Sequence, residues 1–128
     1  MGKITYIGAG SRSFAKQLIM DILTKPALAE GTIALMDLGQ EYVDVTAALA
    51  KKMVRQLHLP TRIEATTDRR RALDGADYVV STIRPSGIDS RTESILVGER
   101  YGVYQGVGGE TGASAAECAM KYMPRLLE

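Results

Sequence analysis

Apolar positions along the 128-residue chain follow two rhythms in turn, a short compact one and a helical one. Lys3–Ile7 is a β-rich run that stops at Gly8-Ala9-Gly10, as a strand entering a tight turn does. Phe14, Ala15, Leu18, Ile19 and Ile22 then recur at three-and-four spacing, the face of a helix that Pro26 closes. Thr32–Met36 is a second apolar strand, and Val43, Ala47, Ala50, Met53, Val54 and Leu57 share one face of a long helix ending before Pro60. Residues 63–66 form a weaker third strand. Asp68 caps a one- or two-turn helix through Leu73, Asp74-Gly75 turns the chain, and residues 78–83 make a fourth strand. Beyond it, Pro85-Ser86-Gly87 is a loop, residues 91–101 read as helix, residues 102–112 are glycine-rich, and residues 113–127 read as a final helix interrupted near Pro124.

Strands that alternate with helices pair in parallel through right-handed crossovers. The expectation is therefore an α/β, Rossmann-type doubly wound sheet in strand order 3-2-1-4, helix-covered on both faces, with the glycine turn at its topological switch point. No repeat, low-complexity tract or linker divides the chain, so residues 1–128 read as one domain.

Composition narrows the function classes. Lys plus Arg number 16 against 15 Asp plus Glu, and a net charge of +1 gives no reason to expect nucleic acid or an anionic membrane as partner. Cys118 is alone, so no internal disulfide forms, as suits a reducing cytoplasm. No apolar run approaches the roughly 20 residues that span a bilayer.

The chemistry concentrates in the turn after the first strand. Gly8-Ala9-Gly10-Ser11-Arg12-Ser13 keeps two glycines of the dinucleotide fingerprint, one permitting the tight turn and one letting a pyrophosphate approach the backbone. The third glycine is Ser13. Amides of Ser11, Arg12, Ser13 and Phe14 open a helix whose positive end favours phosphate oxygens, and either serine hydroxyl adds a donor. An ordinary strand-to-helix turn would use the same residues. Asp37 closes the second strand 27 positions after Gly10, where the fingerprint places the acid that binds ribose hydroxyls and repels a 2′-phosphate. NAD over NADP is the implication, and a helix-capping surface Asp the alternative. Ile83, Arg84 and Gly87 lie at the carboxyl end of the fourth strand, the ligand side of such a sheet. Arg84 serves there either a ligand or a structural ion pair. Glu110 is the only carboxylate of the glycine-rich stretch, in a binding loop or a solvated one. His58 before Pro60 reads as a helix C-terminal cap or a surface group, and Cys118 as a small buried residue. No metal site is assigned.

Four ordered motifs, Ile7-Gly8-Ala9-Gly10-Ser11 with Phe14, Ala34-Leu35-Met36-Asp37, the run from Ala72 through Asp77-Tyr78-Val79, and Tyr101-Gly102-Val103-Tyr104-Gln105, together resemble glycoside hydrolase family 4, in its α-galactosidase and α-glucosidase branch. The resemblance runs through the whole chain. It implies NAD with a divalent metal, usually Mn²⁺, and glycoside hydrolysis by redox and elimination rather than by two carboxylates. NAD⁺ oxidises the sugar 3-hydroxyl, a base removes the acidified C2 proton, the glycosidic bond leaves, water adds and the hydride returns. By position, Gly8, Gly10, Ser11 and Phe14 match the family's nucleotide turn, Asp37 its ribose acid, and Ile83-Arg84 with Gly87 the loop near the nicotinamide.

Two departures accompany the match. Residues 107–115 correspond to a family segment of the type Val-Gly-Asp-Thr-x-Gly-Pro-Gly-Gly, yet Gly109 replaces its Asp and Ala113, Ser114 and Ala115 replace Pro-Gly-Gly. Glu110, one position later, is the local carboxylate that could substitute for it and the one catalytic candidate. Family members are also several times longer, and their metal-binding cysteine and histidine, an Asn-Pro segment and the catalytic tyrosine fall downstream of this sequence, so neither Mn²⁺ ligands nor a catalytic base is assigned within it. The sheet is accordingly expected to be incomplete relative to the family, and the chain alone inactive. The implied partner is a small-molecule glycoside, with room for a homo-oligomer. A stand-alone NAD-binding or degenerate non-catalytic module is a second reading, and a fragment of a malate- or lactate-type NAD dehydrogenase a third; the stretch from Tyr101 to Gln105 favours the glycosidase.

Overall fold

A computed structural model describes residues 2–11, 14–83, 87–104 and 112–127. The chain forms two compact units, Met1–Ile83 and Arg84–Glu128.

The first unit is a sheet with its crossover helices. Strands β1 (Lys3–Ile7), β2 (Thr32–Met36), β3 (Arg62–Thr66) and β4 (Tyr78–Ser81) stand in the order β3-β2-β1-β4. All three pairings are parallel, with Ile7 opposite both Met36 and Ser81. The expected Rossmann-type α/β sheet is thus present, with β4 two residues shorter than the apolar pattern implied.

Helices α1 (Phe14–Leu23) and α2 (Gln40–Gln56) cover one face. Side chains alternate across a strand, so Ile4 and Tyr6 of β1 and Ile33 and Leu35 of β2 turn to the same side. There they form one core with Ile19, Ile22 and Leu23 of α1 and Ala47, Ala50 and Met53 of α2. Thr5 faces the opposite side and is fully buried, its hydroxyl donating to the Ala72 carbonyl at 2.7 Å. Ala72 belongs to the short helix α3 (Arg69–Leu73), which covers that face and is capped by Asp68, whose side chain accepts from the Arg71 amide. The sequence expectation of this cap holds. β1 and β2 are buried along nearly their whole length, as central parallel strands are, whereas most of β4 is exposed.

The second unit contains α4 (Gly87–Arg100) and α5 (Gly112–Leu127), which pack on one another. Gly87 lies inside α4 rather than in the expected loop; Gly87-Ile88-Asp89-Ser90 carries no apolar stripe from which periodicity could extend the helix backward. α5 runs through Pro124 without interruption. Proline there forfeits one hydrogen bond, in a last turn that is exposed to solvent. Lys121 pairs with Glu117 one turn earlier at 2.6 Å, and that hydrogen bond raises the lysine pKa above its ordinary value.

Two of the three positive-φ positions described in the first unit have opposite costs. α2 ends in a Schellman motif in which Leu59 N–H donates to the Val54 carbonyl and His58 N–H to that of Arg55. His58 occupies the left-handed position at φ 53°, where glycine is the unstrained choice. The cap expected of His58 is therefore made by its backbone. Gly8 stands at φ 91°, and a Cβ there would lie 2.8 Å from the Thr82 carbonyl oxygen. In urea unfolding, His58→Gly is expected to stabilise the protein by about 0.5–1 kcal/mol. Gly8→Ala is expected to destabilise it by about 2–4 kcal/mol, through strain and the clash together.

Candidate functional site

Because every pairing is parallel, the carboxyl ends of β1, β2 and β4 lie side by side. The chain leaves β1 through Gly8, Ala9 and Gly10, and the ladder continues past the strand: the Gly8 and Ala9 amides both donate to the Met36 carbonyl, at 2.9 and 3.0 Å. On the other flank the Thr82 amide donates to the Ile7 carbonyl at 2.9 Å. The Thr82 hydroxyl lies 3.2 Å from the Gly8 carbonyl and 3.1 Å from the Tyr6 hydroxyl. Below the turn, the buried Thr46 hydroxyl of α2 donates to the Ala9 carbonyl at 2.9 Å. The turn is thus fixed from three sides before any ligand is considered.

Asp37 follows directly on β2 and is half-buried. Its carboxylate accepts from the Gly10 amide at 2.8 Å and from the Leu38 amide at 2.7 Å. The sequence-expected glycine turn and acid are therefore in contact, across 27 residues. A Cβ on Gly10 would lie 2.8 Å from Asp37 Oδ2 and 2.8 Å from the Cβ of Tyr42, and one on Gly39 would lie 2.5 Å from the Tyr42 ring. Two glycines thus make room for one tyrosine at the start of α2. Exposed apolar surface flanks the acid, with Leu38 88% and Tyr42 47% accessible.

Every amide from Gly8 to Ser11 already has an internal acceptor, that of Ser11 being the Gly8 carbonyl at a long 3.3 Å. Helix α1 follows, opened by the exposed Phe14, and the Ala15 amide in its first turn donates to the Ser11 carbonyl at 3.1 Å. Ile83 ends the first unit, half-buried, just beyond Thr82. Gly87 belongs to the second unit. Arg12, Ser13, Arg84 and Glu110 lie outside the described residues. Sequence reading passed over Tyr42, Thr46 and Thr82. Thr46 carried the one available signal, a hydroxyl on the apolar face of α2.

A depression of about 430 Å³ between α2 and β3 is lined by Ala48, Lys51, Val54, Arg55, Thr61 and Ile63. None of these belongs to the glycine turn or the Asp37 loop. Among the described residues no three His, Cys, Asp or Glu side chains converge to hold a metal ion, and no helix is long and apolar enough to cross a membrane. The described residues therefore do not fit a Mn²⁺ site.

Several known glycosidases resemble this chain. An α-galactosidase of Rhizobium meliloti (strain 1021) is 38% identical over 126 residues, which is 98% of this chain but 26% of that protein. Among solved structures, a Thermotoga maritima 6-phospho-β-glucosidase with NAD and glucose-6-phosphate superposes with a TM-score of 0.81 at 21% identity, over 98% of this chain and 29% of its own. A gut-microorganism 6-phospho-α-glucosidase in complex with NAD and Mn²⁺ gives 0.79 at 16% identity, over 98% and 28%. At such identities the structural likeness establishes the Rossmann-type fold, and the chain spans about a quarter of the length of the curated relative. The profile of the family 4 glycosyl hydrolases matches residues 3–128, and the chain belongs to that family.

Proposed function

We propose that residues 1–128 bind NAD as the nucleotide-binding domain of a glycosidase of the α-galactosidase and α-glucosidase kind, whose sugar site is built by a longer protein. The observation that carries this reading is the Asp37 carboxylate, held at the carboxyl end of β2 by the amide of the glycine turn. A carboxylate so placed accepts both hydroxyls of an adenosine ribose and repels a 2′-phosphate. The pyrophosphate sits at the N-terminus of α1 beside Gly8, Gly10, Ser11, Arg12, Ser13 and Phe14, and Ile83, Arg84 and Gly87 line the nicotinamide end. When bound, NAD supplies reversible hydride acceptance from a sugar hydroxyl-bearing carbon. The part of these residues is to bind and orient it.

The substrate is a small-molecule glycoside, with α-galactoside favoured by the Rhizobium relative. Mn²⁺ belongs to the same proposal at the level of the whole protein, with ligands outside the described residues, because the 6-phospho-α-glucosidase neighbour binds it together with NAD. The unpaired Cys118 suits a cytoplasmic protein.

Titration of the full-length protein with both nucleotides tests the ribose assignment. Unsubstituted protein is expected to bind NAD more tightly than NADP. Asp37→Ala is expected to weaken NAD by about tenfold or more, as loss of hydrogen bonds to a charged group does, and to erase most of the preference. Equal affinities before substitution, or an unchanged preference after it, defeat the assignment. A second measurement addresses the division of labour. Residues 1–128 alone, given NAD⁺, Mn²⁺ and an aryl α-galactoside, are expected to release no aglycone above a protein-free control; metal-dependent turnover that disappears in Gly10→Val would place a working sugar site within this segment.

A further inference from the structure

Gly10 has an explanation in the fingerprint, as clearance for a pyrophosphate, but its surroundings in this fold are different. We infer that Gly10 is a positioning residue for Asp37: its amide and its missing side chain hold the carboxylate at the ribose, so that Gly10 governs the choice between NAD and NADP. The inference rests on the reading of Asp37 as the ribose acceptor and goes beyond it.

Three observations converge. The Gly10 amide donates to Asp37 Oδ2 at 2.8 Å and is already engaged before any phosphate arrives. The three nearest atoms to a Cβ on Gly10 are Asp37 Oδ2 at 2.8 Å, Tyr42 Cβ at 2.8 Å and Asp37 Cγ at 3.1 Å. The backbone of Gly10 does not lie in the left-handed region, so the demand for glycine here is for space and not for φ.

Which neighbour would give way can be decided. Tyr42 Cβ is fixed to the first turn of α2, and α2 is tied to the turn by the bond from Thr46 to the Ala9 carbonyl. Moving it moves a helix whose Val43, Ala47 and Ala50 lie in the core. The Asp37 side chain needs only a rotation, and it keeps a local donor in the Leu38 amide. A methyl group on Gly10 therefore displaces the carboxylate, and because Tyr42 Cβ does not yield it also pushes the Gly10 backbone, and with it the amide that holds Asp37, off its place. The lost contact is one made by NAD and not by NADP, so affinity falls more for NAD than for NADP.

The test is a double-mutant cycle in the full-length protein, with NAD and NADP binding measured for the unsubstituted protein, Gly10→Ala, Asp37→Ala and the double variant. Gly10→Ala is expected to weaken NAD by about tenfold more than NADP, and to cost clearly less in the Asp37→Ala background than in the unsubstituted protein, the remainder being the Tyr42 contact. Pyrophosphate clearance alone would instead weaken both nucleotides by the same factor, additively with Asp37→Ala. That result overturns the inference and leaves the ribose assignment standing. An Asp37→Ala variant with an unchanged nucleotide preference removes both. A ligand-free measurement covers poor folding of Gly10→Ala: with glycine-selective ¹⁵N labelling, the Gly10 amide proton is expected to be shifted downfield and to move upfield in Asp37→Ala. An amide resonance indifferent to Asp37 also overturns the inference.

Discussion

The parallel register of β1 between β2 and β4 is the constraint on which the site depends. It brings Ile7 opposite Met36 on one side and Ser81 on the other, so three strands end at the same level. The next residues of each, Gly8, Asp37 and Thr82, have nowhere to go but into one another. Hydrogen bonds from Gly8 and Ala9 to Met36 and from Thr82 to Ile7 carry the ladder beyond the strands and lock this meeting. A one-residue slip of β2 would reverse its buried face and also withdraw Asp37 from the turn. Folding stability and site geometry are set by the same hydrogen bonds.

Within that frame the acid is a pre-set group. Its two backbone donors offset part of the cost of holding a carboxylate half out of water. A pre-oriented acceptor loses less entropy on binding than one that must be recruited. The apolar rim at Leu38 and Tyr42 is surface that water covers poorly and a flat heterocycle covers well. The glycine turn's own amides are already paired within the protein.

Much of this was legible in the sequence. Strand order followed from apolar runs separated by helical faces, and the acid from its position at a strand end, because both depend on local pattern and on a crossover rule with few exceptions. What escaped was of two kinds. Thr46 to Ala9 and Thr82 to Gly8 are contacts across 37 and 74 residues, and a lone hydroxyl carries no sign of a partner so far away. His58 in a left-handed position, α4 reaching back to Gly87 and α5 continuing through Pro124 are cases in which tertiary and terminal context overrode the residue's usual preference.

The sheet also has an order of assembly. β1 is made first yet occupies an interior place, and its two neighbours are not equally near. Thr32 reaches Lys3 across a short stretch of chain, whereas Tyr78 must return to Ile4 from 74 positions further along. Closure of so long a loop is slow, so one flank of β1 waits while β2 and β3 are already paired. During that wait on the ribosome, a row of unpaired amides and carbonyls is open to any extended peptide nearby.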